Sequence, residues 1–170
     1  MRLAQRKRSG QALVEYALVW SAIFFPITMM IIFTGQLLWA WHAVTEWTKQ
    51  GARYAATHCY QNAGNNVVTW MRQNVPFTPD MGQFQGGGVD VEVTFYSRDP
   101  ETGTLGDFAC DGAECSRECV PDAVRVNVPN YEFRGIQSYF GLPAVTIPNF
   151  STTIPIESAG CTPDSEDCTQ

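Results

Sequence analysis

Thirty consecutive positions from Tyr16 to Thr45 hold no Asp, Glu, Lys or Arg, and the rest of the chain is polar and punctuated by Gly and Pro. A bilayer core needs roughly 20 apolar residues of helix, so this run predicts a transmembrane segment at about 16–41. The helical pattern continues beyond it. Gln11 to about Tyr60 reads as one helix, roughly 75 Å long at ~1.5 Å per residue. Pro26 removes a backbone hydrogen bond within it and predicts a kink, which membrane helices tolerate. Trp39, Trp41 and Trp47 fit an aromatic belt at the outer interface, with packing of Trp47 on a soluble domain as the alternative. Past the apolar run, Val44, Trp47, Gly51, Tyr54, Ala55 and His58 recur three and four residues apart, a single apolar stripe on which a domain can sit.

After Tyr60 the periodicity changes. Asn66–Asn74 reads as a second helix with Asn66 as N-cap, ended by Pro76 and Pro79, and Gly86-Gly87-Gly88 reads as a flexible joint. Val89–Phe95 and Ala123–Val128 alternate apolar and polar residues with period two, as half-buried strands do. Val145–Ile156 reads as a third strand, and its prolines place it at an edge or a bulge. A long loop at 99–119 separates the first two strands. Tyr131–Phe133 and Ile136–Leu142 form a connection with a helical turn. The expected fold is α+β, a long N-terminal transmembrane helix continuing as a spine packed on a small antiparallel β-sheet domain. Its parts are a leader at 1–10, the helix at 11–60, an exported domain at 61–160 and a tail at 161–170.

Charge sets the orientation. Arg2, Arg6, Lys7 and Arg8 precede the apolar run, and the positive-inside rule leaves the N-terminus in the cytoplasm and sends the remainder outward. With those four set aside, seven of the eleven Lys and Arg face all seventeen Asp and Glu, a net charge of −10. Such acidity disfavours nucleic acid as a partner, since phosphate contacts need clustered Lys and Arg. All six cysteines, Cys59, Cys110, Cys115, Cys119, Cys161 and Cys168, follow the apolar run on the side expected to be oxidising. Disulfides are the expectation rather than a metal site, because Cys110, Cys115 and Cys119 lack the tight pairs of zinc modules. Cys161 and Cys168 would close a short loop, and one of the clustered three would reach Cys59, although spacing leaves several connectivities open. No cofactor and no catalytic activity are expected: beyond Thr45 there is one histidine, His58, and no nucleophile or metal motif.

Glu15 stands at the mouth of the apolar run, where burial in lipid costs on the order of a few kcal/mol without a partner. A secretory signal peptide is excluded by the length of the run, and a plain signal anchor does not explain this carboxylate. The arrangement of a basic leader, Gly10, a glutamate at the fifth position after it and an aromatic at the sixth is similar to the processing site of type IV pilin-like proteins. Arg8 to Val19, with its Glu15-Tyr16 pair, resembles the start of a TadE-like pseudopilin of the tight-adherence branch, and Gln50–Ala55 resembles that family's segment after the membrane helix. The resemblance implies cleavage by a prepilin peptidase between Gly10 and Gln11. It further implies that the helix pairs with other pilin and pseudopilin subunits, that Glu15 and Tyr16 act in assembly, and that the protein moves from the bacterial inner membrane into a pilus that supports surface adhesion. The expected function is a minor pilin; a tip adhesin of the same filament and a monomeric envelope anchor are the alternatives.

Overall fold

The computed structural model describes residues 3–110, 112, 114–156, 158–161 and 168, with side chains from residue 10 onward. The charged side chains of the leader and most of the 161–170 tail lie outside these residues.

One helix, α1 (Leu3–Thr57), runs unbroken through Pro26. It starts within the leader rather than at Gln11, since only Gly10 interrupts a run of good helix formers there. It stops at Thr57 rather than Tyr60, ahead of Asn62 and Ala63, whose backbones are left-handed with φ of 48° and 52°. The two halves of α1 differ in kind. From Leu13 to Ile32 its large apolar side chains, apart from the half-buried Met29, are exposed on every side. Higher up, Ala40, Val44, Trp47, Thr48, Ala52 and Ala55 make one buried stripe. A helix apolar all round belongs in lipid or among other helices, whereas a striped one carries a domain.

The domain built on that stripe comprises α2 (Asn65–Gln73), α3 (Met81–Gln85) and six strands, β1 (Glu92–Arg98), β2 (Leu105–Asp107), β3 (Ala123–Val128), β4 (Glu132–Phe133), β5 (Val145–Thr146) and β6 (Phe150–Pro155). Four of them form an antiparallel sheet in the order β2-β1-β3-β6, and β4 pairs with β5 in a separate two-stranded ladder. α1 lies across β3 and β6. Val124, Val126 and Val128 alternate inward from β3 and are fully buried with Met71 of α2. The expected α+β class, a long apolar helix followed by a small antiparallel sheet domain, is what the chain adopts.

Several local expectations are corrected. Asn66 does not cap the second helix; Gly64, with φ of 89°, occupies that position and Asn66 lies one residue inside. Its amide instead donates to the Cys59 carbonyl at 3.1 Å, tying α2 to the end of α1. Gly86–Gly88 is a helix stop rather than a loose joint. Gly86 N–H donates to Gly82 O and Gly88 N–H to Gln83 O, and Gly87 takes the positive φ of 73° that such a stop requires. The preceding α3, which buries Phe84, has no clear periodic signature in five residues. The 99–119 loop contains β2, which folds back on β1 as a hairpin. Val145–Ile156 is two strands in two different sheets, parted at Pro148, whose missing N–H cannot extend a ladder. Its second half, β6, is the sheet edge expected of a proline-bearing strand. Trp47 is no part of an interfacial belt: it is 3% exposed, and its indole N–H donates to Met71 O at 3.1 Å. Trp39 and Trp41 remain half-exposed but rest on Phe77 and Phe150 of the domain.

Three disulfides close the molecule, Cys59–Cys115, Cys110–Cys119 and Cys161–Cys168. The first spans 56 residues and fastens the long loop to the end of α1. Cys115 N–H also donates to Tyr60 O there, and the Glu114 carboxylate accepts from Asn62 N–H. The second half of the loop is thereby fastened to the end of α1 and closed on itself by Cys110–Cys119.

Candidate assembly and membrane site

Gly10, Gln11, Glu15 and Tyr16 occupy successive turns at the exposed end of α1. A side chain built on Gly10 would meet nothing within 4 Å. Side chains of a helix point toward its N-terminus, and Glu15 accordingly reaches back to Gln11, whose amide donates to Oε1 at 3.3 Å. Among the described residues Glu15 has no cationic partner; the ion pairs there are Lys49–Glu46 and Arg134–Glu132, both in the upper part of the molecule. Tyr16 begins an aromatic ladder with Trp20 and Phe24, ring centroids 5.9 and 5.2 Å apart. The hydroxyls of Ser21, Thr28 and Thr34 donate to carbonyls of the preceding turn, so the polar side chains of this segment are satisfied within the helix. Glu15 has the Gln11 amide as its partner in the same way, but its charge is unpaired among the described residues. Pro26 sits between these residues and the domain without ending the helix.

The domain reaches far down the helix. Phe33 packs on Phe133 with centroids 6.2 Å apart, and Gln36 Oε1 accepts from Ile136 N–H at 3.0 Å. Above that contact lies a buried polar knot. Asp80 Oδ2 accepts from the Tyr131 hydroxyl at 2.7 Å, from Gln83 Nε2 at 3.0 Å and from Arg134 N–H at 3.3 Å. Burial, together with the Asp80 hydrogen bond and charge, holds the Tyr131 phenol far above its ordinary pKa. Asp80→Ala leaves that buried hydroxyl unpartnered and is expected to cost about 1–3 kcal/mol, read as a lower urea midpoint, while Asp80→Asn retains an acceptor and costs less. Neither Gln36 nor Asp80 stood out in the sequence. Gln36 carried a faint signal, a lone amide in an apolar run at helical spacing from Phe33 and Ala40.

Asp99, which with Glu101, Gly103 and Asp107 faintly suggests a calcium loop in sequence, has its carboxylate engaged in the β1–β2 turn. Oδ1 accepts from Glu101 N–H at 2.8 Å and from Thr102 N–H at 3.2 Å, and these donors lower its pKa. The turn is therefore fully supported above the unfolded carboxylate pKa of about 3.9 and loosens as pH falls through the lower folded value. Protection of the Glu101 and Thr102 amides, measured relative to their intrinsic exchange rates, is expected to fall only in that acid range.

A helix long and apolar enough to cross a membrane, bearing an α+β domain at its C-terminal end, defines a spine-and-head architecture and suggests membrane anchoring. The model of the family described as TadE-like protein matches residues 10–53, from the glycine before Gln11 into the domain-bearing stripe, and over these residues the chain is similar to that family. This agrees with the resemblance in the Gly10–Val19 and Gln50–Ala55 segments, and it suggests involvement in a tight-adherence pilus with pilus-associated proteins as partners. No curated protein and no solved structure matches the chain.

Proposed function

We propose that this protein is a minor pilin or pseudopilin, cut after Gly10 by a prepilin peptidase and built into a tight-adherence pilus through its N-terminal helix. The observation that carries the reading is Glu15, a carboxylate without a cationic partner among the described residues, five positions past a glycine on a helix apolar on every side. Cleavage there releases an ammonium group at Gln11, and the Glu15 of an adjoining subunit can share it. That contact is head-to-tail and leads to a helical filament when it does not close. A glycine inside a helix costs ~1 kcal/mol relative to alanine, which makes Gly10 a weak point in the first turns of α1 at which a peptidase can open it. Helical spacing adds an orientation. Glu15, Phe33 and Gly51 stand eighteen residues apart, about five turns each, so the neighbour's terminus arrives on the side that carries the domain.

The proposed role is structural rather than catalytic, with the cytoplasmic leader lost and the acidic, disulfide-closed domain displayed outside. Shearing cells and probing the released filaments with an antibody to the domain tests it. The protein in the sheared fraction, and loss of filaments on its deletion, support the reading. Unchanged filaments after deletion, with the protein confined to the membrane, refute it.

A further inference from the structure

The head carries an apolar foot. The 3-10 turn Ile136–Phe140 and the residues after it expose Tyr139 at 88%, Phe140 at 60% and Leu142 at 58%. This turn does not hang at the far end of the domain. The Gln36 and Phe33 contacts hold it against α1, and Met29, Met30 and Phe33 of the helix enclose with Ile136, Gln137, Phe140 and Leu142 an apolar cleft of about 220 Å³. Among the described residues no charged side chain lines that cleft. The nearest charges in sequence, Glu132 and Arg134, pair with each other at 3.2 Å.

Its level along α1 decides what meets it. From Gly10 to Met30 the helix rises about 30 Å, which alone matches the hydrocarbon core of a bilayer. Trp41, by contrast, lies about 16 Å above Met30. The all-round exposed segment and the foot therefore meet at one height, the outer boundary of the core. We propose that the 136–142 turn dips into the outer leaflet, with Phe140 and Leu142 among the acyl chains, the Tyr139 hydroxyl at headgroup level and a lipid tail in the cleft beside Met30. The lipid-crossing segment then ends near Met30 rather than Trp41, and Trp39 and Trp41 stand above the membrane on Phe77 and Phe150. The foot fixes the height and tilt of the head before assembly. This inference rests on membrane anchoring by α1 and not on any role in a filament.

Benzoylphenylalanine placed singly at Phe24, Phe140 or Phe77 in the full chain tests it, with the protein dilute in phosphatidylethanolamine and phosphatidylglycerol vesicles and irradiation followed by intact mass. All three side chains are largely exposed, at 58%, 60% and 73%, so substitution leaves the core in place. Phospholipid adducts are expected at positions 24 and 140, with the yield at 140 about tenfold above that at 77. Adducts at 24 without adducts at 140 overturn the foot and leave the anchor standing. Equal yields at 140 and 77 overturn it too, as do crosslinks from 140 to a second copy in place of lipid. Absence of adducts at both 24 and 140 removes the anchor and this inference with it.

Discussion

Glu15→Ala and Glu15→Gln are each expected to leave the protein inserted and cut after Gly10 while its recovery in sheared filaments falls by about a hundredfold. The reasoning starts from the cost of an isolated charge. Removing one partner of a buried ion pair costs about 3–5 kcal/mol, because the other charge stays behind in a medium that cannot solvate it. In the proposed assembly the charge left behind is the Gln11 ammonium of a neighbour. The glutamine variant keeps the size and hydrogen-bonding capacity of Glu15 and loses only its charge. Its failure would assign the effect to charge rather than to packing. Quantitative immunoblots of membrane and sheared fractions read both steps at once. A glutamine variant that assembles as well as the parent would show that Glu15 serves only its own helix, as the Gln11 contact and the helix dipole allow.

Trp47→Ala is expected to cost the domain about 3–5 kcal/mol, a large share of the 5–15 kcal/mol typical of a whole folded unit. Trp47 joins the spine to the head. It meets Phe84 of α3 edge-on with centroids 5.2 Å apart, and its N–H satisfies the Met71 carbonyl near the end of α2. Truncation opens a cavity between three elements and removes one of the two hydrogen bonds to the Met71 carbonyl, which keeps the one from Asn74 N–H at 3.2 Å. Limited proteolysis and urea unfolding of the detergent-solubilised chain should show an early loss of the head with α1 intact. Trp47→Phe fills most of the volume and should fall between the two. An unchanged midpoint for Trp47→Ala would mean that the head holds itself together without its spine.

What the residues declared in advance depended on the length of each signal. α1 was readable because thirty uncharged positions and a later three-and-four stripe are long patterns, and β3 because six residues alternate without interruption. Short elements were not. α3 has five residues, and β4 and β5 have two each, too few to show a period. Val145 to Ile156 looked like one strand because only tertiary pairing reveals that its halves belong to different sheets. Asn66 looked like a cap because Asn favours that role, but Gly64 can take a left-handed backbone at lower cost. The residues proposed for assembly are read from local order alone, a glycine, a carboxylate and an apolar run. The foot was not: Tyr139, Phe140 and Leu142 gain meaning only when Gln36 and Phe33 place them beside the membrane helix.

Intact mass of the protein purified from its native cells bears most directly on the central claim. The account requires the first ten residues to be absent, so that the chain begins at Gln11 with Glu15 fifth from a new terminus. A functional protein that still carries Met1 to Gly10 would contradict it.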